Sequence, residues 1–235
     1  MKRLLFYCIS IISVCSCNEM GIVGSGNIIT ENRQTGDFKG VSVGGAFEVE
    51  IHLGATTEVK VEADDNVIKD IETEVSGGVL KISNRGEFSF SNTHMKVYIT
   101  VPQLNSIKSS GASDVKILDV VKNTGKVSFD VSGAGSIKGE VDAPEVDAEI
   151  SGAGNMTLSG RTKDYTGKVS GSGDLKTADL MSENTEVRVS GAGSAWVHAS
   201  VLLKINASGA GNVYYKGGAK VEEHSSGAST IKKED

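Results

Sequence analysis

The stretch VSFDVSGAGSIKGEVDAPEVDAEISGAG, residues 127–154, contains two copies of the motif Ser-Gly-Ala-Gly that lie 19 residues apart. Related copies recur through the second half of the chain, with successive spacings of 22, 19, 19, 20, 18 and 18 residues. The seven copies begin at Ser110, Ser132, Ser151, Ser170, Ser190, Ser208 and Ser226. A nearly constant period of this length is typical of a stacked repeat architecture.

The residues that flank each motif alternate between apolar and polar side chains. Before the second copy, Val127, Phe129 and Val131 alternate with Ser128 and Asp130. The position five residues after each motif serine is apolar as well, and its occupants are Val115, Ile137, Met156, Leu175, Ala195, Val213 and Ile231. Alternation with a period of two predicts strands with one buried face. Each unit is therefore expected to be a strand, a corner, a second strand and a short return.

One such unit cannot bury its own apolar side, whereas stacked units align equivalent residues into a continuous core. The expected fold class is all-β, a parallel β-helix or β-solenoid with coils of about 18–20 residues. Glycine suits the corners because it adopts backbone angles that a Cβ atom would block. The motif superficially resembles a nucleotide-binding loop, but such a loop leads from a strand into a helix. The repeat leads into strands instead, which argues against a nucleotide site.

The first half of the chain follows the same alternation with less regular spacing. We expect residues 27–108 to form irregular N-terminal coils and residues 109–235 to form regular coils of one domain, 27–235. Residues 64–74 are the only stretch that favours a short helix, and residues 84–94 are expected to form a polar loop.

The N-terminus has the features of an export signal. Lys2 and Arg3 precede an apolar run, residues 4–14, that is too short to span a bilayer as a helix. The sequence Val-Cys-Ser-Cys at residues 14–17 resembles a bacterial lipobox, which implies cleavage before Cys17 and lipidation of that cysteine. An ordinary signal peptide with a coincidental cysteine is the alternative.

Cysteine content agrees with a lipid anchor. All three cysteines, Cys8, Cys15 and Cys17, lie in this segment, so a chain that has lost residues 1–16 would keep one thiol and form no internal disulfide. That chain would carry 22 basic and 30 acidic side chains, a formal charge of −8, which is unfavourable for nucleic-acid binding. We expect residues 17–26 to be a lipidated linker and the anchor to be the membrane contact.

Three further segments suggest a family. They read DFKGVSV at residues 37–43, VYITVPQL at residues 97–104 and SGA at residues 110–112. With the repeated Ser-Gly-Ala-Gly, they resemble the autotransporter-adhesin head GIN domain, a family of exported proteins common in Bacteroidetes. The resemblance extends over roughly residues 26–230. It implies a right-handed parallel β-helix in the cell envelope, and it brings no established catalytic residues.

The histidines do not form a recognisable site. His52, His94, His198 and His224 share no repeat position and lack carboxylate partners at metal-ligand spacing. Most acidic residues alternate with lysine at outward strand positions, which is typical of a solvated face. No metal site, no cofactor and no catalytic residue is predicted.

One polar column and one aromatic pair are the candidate ligand strip. The residues four positions after the motif serines are Asp114, Ser136, Asn155, Asp174, Ser194, Asn212 and Thr230. They either satisfy backbone groups along the stack or form a shallow strip for a polar ligand or ion. Trp196 and Tyr214 occupy equivalent outward positions on adjacent coils, where they either hold a sugar ring or pack across strands. The predicted strip residues are Asp114, Asn155, Asp174, Asn212, Trp196 and Tyr214.

Three functions remain open at this point. A non-enzymatic envelope lipoprotein that binds a glycan or a surface protein is favoured, and a polysaccharide lyase or hydrolase or a structural spacer is the alternative. Asn18 after Cys17 favours the outer membrane, on either its periplasmic or its outer side. The last unit replaces core positions by Glu223 and Ser225 and ends in charged residues 232–235, which predicts a monomer because charges discourage edge pairing.

Lipidation can be tested by substitution. Cys17→Ala is expected to abolish incorporation of an alkyne-labelled fatty acid, because the lipid is attached to the cysteine that follows the cleavage site and Cys15 precedes it. Cys15→Ala is the control and should retain the label. Label retained in Cys17→Ala would contradict the lipobox interpretation.

Overall fold

The computed structural model describes residues 21–86 and 89–234, and in them the backbone forms strands and one short turn of 3-10 helix, Ile68–Asp70. The strands of the first half are β1 (Gly21–Val23), β2 (Ile28–Arg33), β3 (Gly40–Gly45), β4 (Glu48–Leu53), β5 (Glu58–Asp64), β6 (Ile71–Ser76), β7 (Val79–Asn84), β8 (Ser89–Ser91), β9 (Met95–Val101) and β10 (Ser106–Gly111). The second half contains β11 (Asp114–Lys122), β12 (Lys126–Gly133), β13 (Ser136–Gly152), β14 (Asn155–Gly171), β15 (Asp174–Gly191), β16 (Ser194–His198), β17 (Leu202–Gly209), β18 (Asn212–Lys216), β19 (Lys220–Gly227) and β20 (Thr230–Lys233).

The second half is a parallel β-solenoid, as predicted. The segments that precede each motif corner pair in parallel, as in β10–β12–β13, and build what we call the pre-corner face. The segments that follow each corner also pair in parallel, as in β11–β13–β14, and build the post-corner face. Parallel pairing of successive coils holds equivalent residues about 4.8 Å apart along the solenoid axis.

Glycines of the motif lie directly above one another at the corner. Gly111 pairs with Gly133, Gly133 with Gly152, and the register continues to Gly227. Gly45 continues the column toward the N-terminus, since it pairs with Gly111. This earlier corner escaped the sequence analysis because Gly44 stands where the other copies have serine.

Two physical constraints exclude larger residues from the corner. The φ angle of Gly133 is +130°, a region that residues with a Cβ atom rarely adopt. A Cβ atom on Gly133 would also lie 2.4 Å from the carbonyl oxygen of Gly111 in the preceding coil. The backbone amide of Ala134 donates to that same oxygen at 2.8 Å, so a side chain would push the coils apart and break the hydrogen bond between them.

Inward columns fill the solenoid with residues of compensating size. Along one column of the pre-corner face, Phe129 pairs with Ala148, which in turn pairs with Gly167. A Cβ atom on Gly167 would lie 3.0 Å from both the Tyr165 hydroxyl and Cδ2 of Leu175, so these buried side chains occupy the space that Gly167 leaves free. Burial raises the pKa of the Tyr165 hydroxyl. The core is therefore continuous although individual coils contribute residues of very different volume.

The first half is built partly from antiparallel strands. β2, β5 and β9 pair antiparallel on the post-corner face, and β6 and β7 form an antiparallel hairpin on the pre-corner face. Strands β3 and β4 then join the parallel stack through β10 and β11. Local alternation predicts the strands of these coils, but the direction of their pairing depends on distant partners.

Two expectations for this half are wrong. The helix predicted over residues 64–74 is only the turn Ile68–Asp70, because β5 runs to Asp64 and β6 begins at Ile71. Val67 and Ile68 are buried where the chain passes from β5 to β6. Their apolar side chains therefore pack on the core from a tight turn and not from one side of a helix. The polar loop expected over residues 84–94 contains β8, which pairs in parallel with β1. Residues 21–23, within the predicted linker, thereby form a strand.

Two adjacent carboxylates hold the N-terminal segment against the solenoid. Asp64 is 1% exposed and accepts hydrogen bonds from the backbone amides of Gly26 and His94, each at 2.7 Å. These bonds keep the pKa of Asp64 below its usual range, the His94 amide having the larger effect. Asp65 accepts from the side chains of Ser25 and Asn27. Burial of Asp64 is thus explained by structural hydrogen bonds.

The corner constraint predicts a selective loss of stability. Gly133→Ala should destabilise the fold by about 2 kcal/mol or more, because it adds a strained φ angle and a backbone collision. Gly125→Ala is the matched control, since its Cβ atom would meet nothing closer than 3.7 Å. Urea unfolding of both variants measures the difference, and equal midpoints would contradict the packing described for the corner.

Candidate functional surface

Two outward columns run side by side along the post-corner face. The oxygen column is Asp114, Ser136, Asn155, Asp174, Ser194, Asn212 and Thr230, in register from coil to coil. The lysine–aromatic column is Lys116, Lys138, Thr157, Lys176, Trp196, Tyr214 and Lys232, in the same register. Six steps of about 4.8 Å give each column a length of roughly 29 Å. All six predicted strip residues therefore lie on one face.

Hydrogen bonds within the oxygen column connect side chains of adjacent coils. The hydroxyl of Ser136 donates to a carboxylate oxygen of Asp114 at 2.5 Å, and the amide of Asn212 lies 3.5 Å from the hydroxyl of Ser194. Asp174 forms an ion pair with Lys176 of the other column at 3.4 Å. Asp114 and Asn155 are exposed, so the column presents amide and carboxylate groups to solvent.

Trp196 and Tyr214 form a stacked pair. Their ring centroids are 5.2 Å apart and their planes differ by 15°. The amino group of Lys176 lies over the Trp196 ring, 5.7 Å from its centroid. Because the facing surfaces of the two rings cover each other, a ligand on this face meets mainly their edges. Cross-strand packing therefore accounts for the pair's geometry, although it leaves the outer edges accessible.

Tyr98, a third outward aromatic residue, lies farther up the same face. The amino groups of Lys60 and Lys96 lie 4.4 and 5.0 Å from its ring centroid. Lys96 is also held by the carboxylates of Glu48 and Glu50, at 3.6 and 2.8 Å, and these contacts raise the pKa of its amino group. Tyr98 is thus enclosed by a charge network and offers little free ring surface.

A bulge interrupts the regular face in β11. Lys116 pairs with Lys138, but the next register pair joins Val120 to Glu140, so three residues of β11 lie opposite Gly139 alone. The bulge accounts for two of the three residues by which this unit exceeds the common 19-residue spacing. Sequence reasoning missed this feature, although the 22-residue spacing was its visible signal.

The bulge is fixed in position by Asp119. A carboxylate oxygen of Asp119 accepts from the backbone amide of Leu53 at 3.0 Å and lies 3.1 Å from Nδ1 of His52. The hydrogen bond from Leu53, with a smaller effect of His52, lowers the pKa of Asp119. Leu118, beside it, is 48% exposed, and below the bulge lies a groove of about 540 Å³. The groove borders the lysine–aromatic column.

The pre-corner face differs in its charge pairing. Lys126 contacts Glu145 at 3.1 Å and also Asp147, which raises the pKa of Lys126. Lys108 pairs with Asp130, and similar cross-coil pairs recur lower on the face. Exposed pairs of this kind contribute little stability individually, but they neutralise this surface.

The histidines lie apart from one another. His94 pairs with Glu62 at 2.8 Å, His52 lies at the bulge, and His224 is exposed on the last pre-corner strand. Nδ1 of His198 accepts from the backbone amide of Ser182. Within residues 21–86 and 89–234, no three His, Cys, Asp or Glu side chains are grouped so that they could bind a metal ion.

In the described part of the chain, no helix is long and apolar enough to cross a membrane. The predicted signal peptide and Cys17 lie outside the described residues.

Comparison with known proteins identifies related folds. A sequence profile of the family described as "Putative auto-transporter adhesin, head GIN domain" matches residues 37–219. The chain is similar to a crystal structure from Bacteroides fragilis named a "putative adhesin", with 23% identity, a TM-score of 0.86, and coverage of 91% of this chain and 100% of that one. No curated protein matches the sequence.

Two Parabacteroides structures share the fold as well. A "putative lipid binding protein" from Parabacteroides distasonis has 22% identity and a TM-score of 0.75, covering 91% of this chain and 99% of that one. A "putative adhesin" from Parabacteroides merdae has 19% identity and a TM-score of 0.73, covering 92% and 99%. At these identities the likeness shows a common fold, which agrees with the predicted β-solenoid.

The stacked pair predicts a measurable coupling. In a double-mutant cycle of Trp196→Leu and Tyr214→Leu, the coupling free energy should be about 0.5–1.5 kcal/mol in favour of the native pair, because leucine keeps apolar contact but removes the ring stack. Urea unfolding of the two single variants and the double variant measures it. Additive effects of the two substitutions would show that the rings do not interact.

Proposed function

Because the chain belongs to the family of the auto-transporter adhesin head GIN domain, we propose that it is a non-enzymatic adhesion protein of the cell envelope. The observation that carries this proposal is the post-corner face, on which polar, charged and aromatic side chains repeat in register. The backbone register fixes where these side chains are attached before a ligand arrives, so binding does not have to order the backbone of the face. Lipidation of Cys17 would hold this face at the outer membrane.

The chemistry of the face favours a carbohydrate ligand. The oxygen column supplies hydrogen-bonding groups that match sugar hydroxyls, and the lysine–aromatic column supplies ring edges and amino groups. The columns extend roughly 29 Å without a deep enclosed cavity, which suits an extended oligomer better than a small metabolite. A repeating ligand could contact equivalent positions on successive coils.

The spacing of the acids within the oxygen column argues against glycoside hydrolysis along that column. Glycosidases place two carboxyl groups within about 5–10 Å of each other across the scissile bond. Asp114 and Asp174 are the acids of the oxygen column, and they lie three coils apart, or about 14 Å along the axis. The oxygen column therefore lacks the spacing that a glycoside hydrolase would need.

We also propose that the protein acts as a monomer. At one end of the pre-corner face, the edge strand β6 carries Glu74, and at the other end β19 carries Glu223; neither forms an ion pair with another described residue. Like charges would face each other if one copy added to the end of another, which disfavours edge pairing. The polar inward residues Glu223 and Ser225 are exposed at that end.

Adhesion can be tested in the producing bacterium. Deletion of the gene should reduce attachment to glycan-coated surfaces by at least an order of magnitude, and the wild-type gene should restore it. Complementation with Cys17→Ala should fail, because the protein would be released from the membrane. Protease treatment of intact cells should remove the protein if it faces outward. Unchanged attachment after deletion would contradict an adhesive role.

A further inference from the structure

We propose that the groove below the β11 bulge binds the acidic terminal sugar of an oligosaccharide. This inference rests on the proposed carbohydrate-binding function and assigns it a terminal subsite. The groove of about 540 Å³ falls within the size range of small-ligand sites. One side of the groove is the bulge, with Lys116 and Asp119 among its lining residues. The other side is formed by the next two coils, through Lys138, Gly139, Glu140, Thr157 and Ser159.

The first argument is the shape of the groove. Gly139 has no side chain, and a Cβ atom there would lie 2.7 Å from Cδ1 of Ile117. Ile117 therefore folds inward over Gly139 and is 7% exposed, while Leu118, the next residue, is turned outward. Ile117 thus fills the inward space that Gly139 leaves, and Leu118 forms an exposed apolar wall beside the backbone of Gly139. Asp119 holds this wall through Leu53 and His52, so the groove exists before any ligand binds.

The second argument is chemical complementarity to a sugar. Leu118 offers an apolar surface for the C–H groups of a pyranose ring. The hydroxyls of Thr157 and Ser159 and the carboxylate of Glu140 offer hydrogen-bond partners for ring hydroxyls. Sugars are bound by this combination of one apolar contact and several polar contacts, because they carry both kinds of surface.

The third argument is the charge of Lys138. Among the described residues, no carboxylate lies within 4.0 Å of its amino group, whereas Lys116, the other lysine that lines the groove, contacts Glu48 at 3.3 Å. The carboxylate of Asp119, which also lines the groove, is already engaged by the Leu53 amide and by His52. An unneutralised amino group at the rim of a preformed groove favours a carboxylate on the ligand.

The overall charge restricts the ligand further. The chain has a formal net charge of −6, so a densely charged polyanion would be repelled at long range. One acidic sugar at the end of an otherwise neutral chain satisfies Lys138 without that penalty. The groove lies at the upper part of the lysine–aromatic column, so the neutral portion would extend along Thr157 toward Trp196.

Binding assays with matched oligosaccharides test this assignment. The full chain is titrated with a trisaccharide that ends in glucuronic acid, with the same trisaccharide ending in glucose, and with polygalacturonate. The acidic trisaccharide should bind at least about tenfold more tightly than the neutral one, as expected for one charge-assisted hydrogen bond. Polygalacturonate should bind more weakly per chain end than the acidic trisaccharide, because its many charges are repelled by the negatively charged protein. Added salt should weaken binding of the acidic trisaccharide, because salt screens the charge of Lys138.

Surface variants locate the site. Lys138→Gln should reduce affinity for the acidic trisaccharide about tenfold and leave the neutral one unchanged. Leu118→Ser should weaken both sugars. Lys204→Gln is the matched control, because it removes one lysine from an exposed position of the pre-corner face and should change neither affinity. All three positions are solvent-exposed, so the fold should be retained.

The outcomes separate this inference from the proposed function. The acidic subsite would be overturned if both trisaccharides bound with equal affinity, or if Lys138→Gln left the affinity for the acidic trisaccharide unchanged. Either result would do so even if the deletion strain loses adhesion. Conversely, normal adhesion of the deletion strain would overturn the adhesive role, even if the purified protein still bound the acidic trisaccharide selectively through Lys138.

Discussion

The structure depends on the contact between glycines at the corner of successive coils. At this point the backbone of one coil approaches the carbonyl oxygen of the previous coil so closely that no side chain fits, and the φ angles are those that glycine tolerates. The contact fixes both the separation and the register of neighbouring coils. Once the register is fixed, every inward residue packs on its equivalent, and every outward residue lies in a column.

This constraint separates structural repetition from functional variation. A motif that recurs at every corner is explained by backbone geometry, and it need not perform chemistry. The departures from the repeat are not explained by that geometry. They are the bulge of β11, which inserts Leu118 and Asp119 into the post-corner face, and the aromatic pair Trp196–Tyr214 farther along it. Bulges are frequent next to binding sites because they redirect side chains locally.

Much of this architecture could be predicted because its determinants are local. The alternation around Val127 and Phe129 predicts inward positions, and both residues are buried. The polar column and the aromatic pair follow from counting residues after each motif serine, and both lie on one face. The resemblance to the adhesin family agrees with the match over residues 37–219.

The remainder depended on contacts between distant segments. Antiparallel pairing of β5 with β2 and β9 cannot be inferred from local alternation. The buried residues near Ile68, which suggested a helix, belong to the turn that connects β5 with β6. The corner at Gly45 lacked the motif serine. The stacking of Trp196 on Tyr214 depends on side-chain rotamers, which a sequence pattern does not specify.

Selective blocking of one face tests most directly whether the post-corner face is the binding surface. Thr157→Cys and Glu149→Cys each place a thiol at an exposed position, the first on the post-corner face and the second on the pre-corner face. After coupling to a bulky maleimide, the Thr157 variant should lose attachment to glycan-coated surfaces, and the Glu149 variant should bind as the unmodified protein does. Loss of attachment only when Glu149 is blocked would contradict the account.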